Sequence, residues 1–309
     1  MASLLDQDGL YAGPIVDAHH HWWDPALGRY PWLKGKDGPV LGRACLPEDY
    51  LKSAEGYNLV ASVHVEANWD PTDPLGEIDW LNALSRPDGI AGRYVAYADL
   101  AKDGVEADLE QLAARERVVG IRDIVSWHPD PARTAVNDRH KMLEPKWRNG
   151  LERLAKLDLS FDLLMSPWQT DDALDLVNTF PDIRFVINHC GSPFDRSEEG
   201  MASWAAGLMR LARAPNVWLK ISDLVAYDPD WTAESLSHVS LACLDAFGPE
   251  RAMLASDHPV VMFGATFRQT YEHFRSVFAG LSEADQYALF AGNAASFYKL
   301  PNIQTRWAD

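Results

Sequence analysis

The stretch PIVDAHHHWWDP, Pro14 to Pro25, sets three consecutive histidines and two tryptophans directly after a short apolar run. Residues 14–19 have the length and composition of a buried β-strand, and the polar residues gather where that strand would end. Alternate side chains of a strand share a face, so His19 and His21 point one way and His20 the other. A strand that ends in chelating and aromatic groups raises the question of whether other strands end in the same way.

Seven further runs do. They are 59–67 (LVASVHVEA), 93–100 (RYVAYADL), 118–126 (VVGIRDIVS), 159–165 (LSFDLLM), 183–189 (IRFVINH), 216–222 (NVWLKIS) and 251–257 (RAMLASD). Amphipathic helical patterns lie between most of them, among them PLGEIDWLNALSR, VEADLEQLAARE, WRNGLERLAKL, TDDALDLVNTF and WAAGLMRLARA. Each repeats apolar residues at i, i+3 or i+4 with charge on the opposite face. Strands alternating with helices imply a parallel sheet of βα units, and eight of them in 309 residues favour a closed (β/α)8 TIM barrel over an open doubly wound sheet. No glycine-rich dinucleotide fingerprint follows an early strand, and neither G-x-S-x-G nor a P-loop is present. The expectation is a single α/β domain over residues 1–309.

Composition narrows the function classes. A formal charge of −17 disfavours nucleic acid and anionic membranes as partners, while leaving room for a small anionic ligand beside a local arginine. No apolar run approaches the ~18 residues of a membrane span, and the first residues lack the pattern of a secretory signal. Cys45, Cys190 and Cys243 are too few and too scattered for a disulfide framework, which points to a reducing cytoplasm. Cys190 is read as a buried thiol.

On a barrel, catalytic groups come from the C-terminal strand ends and the loops after them. Those ends carry His19, His20, His21, Trp22 and Trp23; His64 and Glu66; Tyr97 and Asp99; Arg122, Asp123, Trp127 and His128. The later strands add Trp168, then Asn188 and His189, then Lys220, Ser222 and Asp223, and finally Ser256, Asp257 and His258. His19 and His21 can chelate one cation, and closure of the barrel brings Asp257, with His189, to the same mouth. Three imidazoles leave a fourth position open for water, from which Asp257 would take a proton. His20 is read as a packing group and His64 as structural or mouth-lining. Arg122 sits in an apolar strand, where an unpaired charge is costly. It either pairs with a carboxylate such as Glu66 or Asp99 or grips an anionic substrate group.

The segments VDAHHHWWD…YPWL, GIRDIV, LSFDLLMSPWQ, FPDIRFVINHCGSP, PNVWLKIS, FGPERAMLASDHPV and AGNAASFYKL follow one another in a recognisable order. From about Ile15 to Leu300 the chain resembles the amidohydrolase superfamily, in its branch of sugar-acid lactonases (L-fuconolactonase-like) and 2-pyrone-4,6-dicarboxylate lactonases. The resemblance implies a distorted amidohydrolase-type barrel that hydrolyses a lactone or related ester or amide bond. It implies one divalent metal ion, zinc first and manganese second, on His19, His21, His189 and Asp257. Parts of the branch work without metal, the histidines and aspartate acting directly. Arg122 replaces the lysine or glutamate that bridges two metals in many amidohydrolases, and LLMSP stands where many carry a strand-5 histidine, so a binuclear site is not expected.

The expected reaction is water attack on the carbonyl of a sugar-acid 1,4- or 1,5-lactone, with Asp257 as base and His189 assisting. Arg122, Glu66, His128 and His258, with Trp22, Trp23, Trp127 and Trp168, are the expected substrate-binding groups, and Trp32 lies in the same loops. The partner is a small lactone or carboxylate, and the many tryptophans are compatible with a homodimer. Alternatives are a lactone from aromatic-ring degradation, a metal-dependent decarboxylase of the same superfamily, or a non-catalytic binding protein on this fold.

Overall fold

The computed structural model describes residues 3–301, and within them every expected strand run contains a strand. These are β1 (Ile15–His20), β2 (Leu59–Val65), β3 (Arg93–Tyr97), β4 (Val118–Arg122), β5 (Ser160–Leu163), β6 (Phe185–Ile187), β7 (Val217–Ile221) and β8 (Ala252–Leu254). They pair in chain order, each neighbour parallel. A bridge between His20 and His258, with backbone bonds from Asp257 N to His19 O (2.9 Å) and from His21 N to His258 O (2.7 Å), joins the last strand to the first. The result is a nearly closed (β/α)8 barrel. Its distortion lies in the register shifts of β1 against β2 and in the shortness of β6 and β8.

Helices α1 (Pro47–Ser53), α2 (Gly76–Ala83), α3 (Val105–Ala113), α4 (Pro145–Lys156), α5 (Thr170–Thr179), α6 (Glu198–Leu211), α7 (Ala233–Phe247) and α8 (Phe267–Val277) surround the strands, with α1 inside the long excursion after β1. Helix α4 shows why the pattern folds this way. Pro145 starts it at a position that needs no amide donor, and Trp147, Gly150, Leu151 and Leu154 form the buried stripe at helical spacing. Gly150 lets the helix approach the Leu100 carbonyl, where a Cβ would stand only 2.2 Å from the oxygen.

Inside the barrel, Val16, Ala18, Val63, Val65, Val95, Val186 and Met253 pack together with Phe297 and Tyr298 from the C-terminal segment. A larger apolar layer fills the space between strands and helices. No helix among the described residues is long and apolar enough to cross a membrane.

The strands end earlier than their sequence runs. After β6, β7 and β8 the backbone turns into the left-handed region at His189 (φ 51°), Cys190 (55°), Asp223 (49°) and Asp257 (55°). Such conformations cost non-glycine residues energy and cluster where a site imposes them. Here they aim the side chains of three successive strand ends.

Candidate active site

The four residues expected to share one point do so. The Asp257 Oδ1 atom lies 3.2 Å from His21 Nε2, 3.5 Å from His19 Nε2 and 4.0 Å from His189 Nε2, all four residues buried. His19 and His21 approach each other at 3.1 Å through their Nε2 atoms, and His20 points outward onto Tyr50 and the Ser62 hydroxyl (2.9 Å). The two-residue period of β1 separates these rings as the sequence indicated.

Hydrogen bonds set the tautomers. His21 Nδ1 meets the Val65 carbonyl at 2.7 Å, so it donates and leaves the Nε2 lone pair facing Asp257. His189 Nδ1 lies 2.9 Å from Ser222 Oγ, an oxygen able to accept in the same way. His19 differs, because its Nδ1 faces the Lys220 ammonium at 3.3 Å and an ammonium only donates. Its Nε2 faces a second cation, Arg122 Nη1, at 3.4 Å, so donors stand at both ring nitrogens, and the same Nε2 lies 3.1 Å from His21 Nε2 and 3.5 Å from Asp257 Oδ1.

Burial drives the His189 pKa down to about 4, against the opposing pull of Asp257, and burial with nearby Lys220 holds His19 well below the usual imidazole range. Both rings are neutral at neutral pH. Burial alone would raise the Asp257 carboxyl, but His189, His21 and Arg122 outweigh it and hold the group below the ordinary carboxylate range. The neighbouring Asp223 carboxyl is pushed well above its usual range by burial and by the charge of Asp257. The two carboxyls are driven in opposite directions, which is how paired acids divide roles in enzyme sites.

Among the described residues Asp257 Oδ1 has no hydrogen-bond donor, and it faces a His21 nitrogen that offers a lone pair. Two buried acceptors in contact call for a cation between them, either a proton or a metal ion. His19, His189 and Asp257 each offer a ligand atom, and these atoms all lie within 4.8 Å of one another. This donor set fits a divalent ion that prefers nitrogen and oxygen. His19 would join it through a ring nitrogen that its facing cation, Lys220 at Nδ1 or Arg122 at Nε2, has released.

Arg122 pairs internally. Its Nε lies 2.6 Å from Glu66 Oε1, its Nη2 donates to the Glu66 carbonyl (2.7 Å), and its Nη1 lies 3.4 Å from His19 Nε2. Of the two carboxylates considered from sequence, Glu66 is the partner and Asp99 is not. Asn68 N donates to Glu66 Oε2 (2.7 Å), which fixes the pair from the far side.

The expected substrate-binding residues divide into two groups. Trp127, His128 and Trp168 meet at the rim, His128 and Trp168 at 4.8 Å, and Phe194 joins both His128 and Trp168. Trp22, Trp23 and His258 are packed away from the cluster. Trp22 is fully buried against His20, Tyr50 and His64, because it shares the outward face of His20. Trp23 is fully buried against Trp32. The His258 ring turns outward to Ser53 Oγ (3.1 Å) and Tyr50, opposite to Asp257. The expectation that His258 adds a titratable group at the mouth is corrected by this outward turn.

A buried ionic network beneath the histidines carried no expectation. Lys220 Nζ lies 2.6 Å from Asp162 Oδ2, which also accepts from Asn188 Nδ2 (3.0 Å), and Tyr298 OH donates to Asp162 (2.9 Å). The signal was present, since Asp162 in SFDL and Lys220 in VWLKI are charges inside apolar strands, as Arg122 is.

Comparison with known proteins places these observations in a family. A family model described as amidohydrolase matches residues 16–300. An uncharacterized protein, y4mH, of Sinorhizobium fredii is 35% identical over 93% of this chain and 98% of its own. An L-fucono-1,5-lactonase of Burkholderia multivorans is 30% identical, covering 93% of this chain and 96% of its own. The crystal structure of an amidohydrolase from Burkholderia multivorans with bound zinc superposes with a TM-score of 0.77 at 26% identity, covering 94% of this chain and all of that one.

Proposed function

Because the chain belongs to the amidohydrolase family, a hydrolase family whose relatives here include lactonases, we propose that its site opens the ring of a neutral sugar-acid 1,4- or 1,5-lactone by attack of water. The observation that carries the choice of a neutral substrate is the pairing of the cations nearest the histidines, while Arg133 and Arg139, which have no carboxylate partner among the described residues, lie exposed over the Phe194 and Trp127 rings. Arg122 is held by Glu66 and Lys220 by Asp162, while the half-buried Lys141 at the rim is held by Asp123 (2.7 Å). A dicarboxylate would need a free cation at close range, since its desolvated charges require partners.

Asp257 acts as the general base, ionised at neutral pH, taking a proton from the attacking water and returning it to the ring oxygen as that oxygen leaves. The Nη1 group of Arg122, 3.4 Å from His19 Nε2, is the donor placed for the developing oxyanion. His21 and His189, anchored through Nδ1 on the Val65 carbonyl and the Ser222 hydroxyl, turn their Nε2 atoms toward Asp257. A divalent ion, zinc by preference, would be held by His19, His21, His189 and Asp257, and when bound would polarise the carbonyl and make the water more acidic.

The test is turnover of a panel containing neutral aldono-1,4- and 1,5-lactones, 2-pyrone-4,6-dicarboxylate and unsaturated carboxylic acids, followed by proton release and by CO2 release. Proton release with the neutral lactones supports the proposal. CO2 release, or turnover confined to the dicarboxylate, contradicts it.

A further inference from the structure

We propose that the cavity above β2, β3 and β4 is an extension of the substrate site that takes a second ring attached to the lactone, a ring with an apolar face. The inference rests on the lactonase reading for the reaction, and on independent geometry for the ring.

The cavity measures about 520 Å³ and is bounded by Trp32 from the loop after β1, Trp69 after β2, Tyr97 at the end of β3, and Ala135, Val136 and Lys141 in the connection from β4 to α4. It adjoins the catalytic cluster through two links. Tyr97 is the register partner of Arg122, whose guanidinium lies 3.4 Å from His19. Asn68, also in the lining, holds Glu66 in the pair with Arg122. Pockets of roughly 300–1,000 Å³ take ligands of drug size. A single lactone ring reacting at the histidines leaves this space unfilled.

The lining says what fills it. The indole N–H of Trp32 donates to the Ala67 carbonyl (2.8 Å) and that of Trp69 is directed at Asp73, so both indoles have committed their polar edges within the protein. The Lys141 ammonium is taken by Asp123 and by the Ile124 carbonyl (3.2 Å), which leaves no free cation there for a carboxylate. Pro31, Pro71, Ile124 and Val136 add apolar surface. The Tyr97 hydroxyl and the side-chain carboxamide of Asn68 have no hydrogen-bond partner among the described residues, so one or two hydroxyls at the ring's edge can be met. A flat aromatic ring and a pyranose ring share the chemistry required, an apolar face with a polar or neutral edge.

Two matched substrate pairs distinguish the sources: γ-phenyl-γ-butyrolactone against γ-butyrolactone, and cellobiono-1,5-lactone against glucono-1,5-lactone. For each pair the ratio of kcat/KM, and the affinity of the two-ring member by calorimetry, are compared in the wild type, Trp32→Ala and Ala135→Trp. Ala135 is exposed at the cavity edge, and a tryptophan there fills the space without removing an existing side-chain contact. In the wild type at least one two-ring lactone is favoured by about tenfold or more, and both variants bring that ratio toward one, as expected for loss of one aromatic contact and its buried area. Ratios that stay the same in both variants, with all lactones turned over, overturn the second-ring site and leave the lactonase reading standing. Two-ring binding that Ala135→Trp weakens, without hydrolysis of any lactone, supports the cavity and overturns the lactonase reading.

Discussion

Lys220 Nζ stands 3.3 Å from Nδ1 of His19 while its charge is held 2.6 Å away by Asp162. With Arg122 Nη1 3.4 Å from Nε2, the His19 ring stands between two cationic donors that compete for its lone pair. Replacing the ammonium by an isosteric apolar chain frees Nδ1. Lys220→Met is expected to lower kcat by about 10–100-fold, the usual effect of losing a group that orients a reactive histidine. With Arg122 then the one donor left at the ring, the imidazole 15N shifts of His19 should move toward the Nδ1–H pattern. Unchanged shifts would separate Lys220 from the tautomer.

The Arg122–Glu66 pair is buried on both sides, at 2.6 Å. Removing one partner strands the other charge, at a cost of about 3–5 kcal/mol. Glu66→Gln and Arg122→Met should each destabilise by that order in chemical denaturation, and the double variant should lose clearly less than the sum. Additive losses would mean the pair is not coupled in solution.

Metal binding has a readout independent of turnover. A ligand that binds the native state alone, at a hundredfold its Kd, stabilises by about 2.7 kcal/mol. Zinc added to metal-stripped protein should raise the wild-type Tm and leave Asp257→Asn and His189→Asn unmoved. A rise of equal size in both variants would place the ion elsewhere.

His273 tests the acid side of stability away from the site. Burial lowers its pKa to about 4, and its Nε2 lies 3.1 Å from Ser240 Oγ. Since the unfolded imidazole protonates near its ordinary value, the unfolded state binds more protons between about pH 6.5 and 4. Stability is therefore retained above that window and lost as pH falls through it. His273→Gln should lose less than the wild type on acidification, by about 2 °C in Tm for an interaction of about 1 kcal/mol discounted for partial exposure. Parallel curves would rule out this histidine as a source of the acid sensitivity.

Much of this molecule is legible in its sequence, for physical reasons. Eight short apolar runs between amphipathic segments leave few topologies, and a barrel's mouth is where its strands end, so His19, His21, His189 and Asp257 could be grouped before any coordinates. Three features escaped that logic. Trp22 and Trp23 follow the histidines closely, yet the strand period sends Trp22 outward and the chain then folds Trp23 beneath Trp32. His258 follows Asp257 directly, and it lies beside the outward-facing His20 on the opposite face, where its imidazole reaches Ser53, so nearness in sequence to Asp257 misplaced it at the mouth. Asp162 and Tyr298 become partners of Lys220 only once the C-terminal segment enters the barrel, a contact that local periodicity does not encode.

The most direct test of the chemistry is hydrolysis of a neutral aldonolactone in 18O-labelled water by the wild type and by Asp257→Asn. Attack of water on the carbonyl puts one labelled oxygen into the product carboxylate and none into the released hydroxyl, and loss of the base cuts kcat by about 100–10,000-fold at unchanged fold. Label in the hydroxyl, or an Asp257→Asn enzyme that turns over at the wild-type rate, would contradict water activation by Asp257.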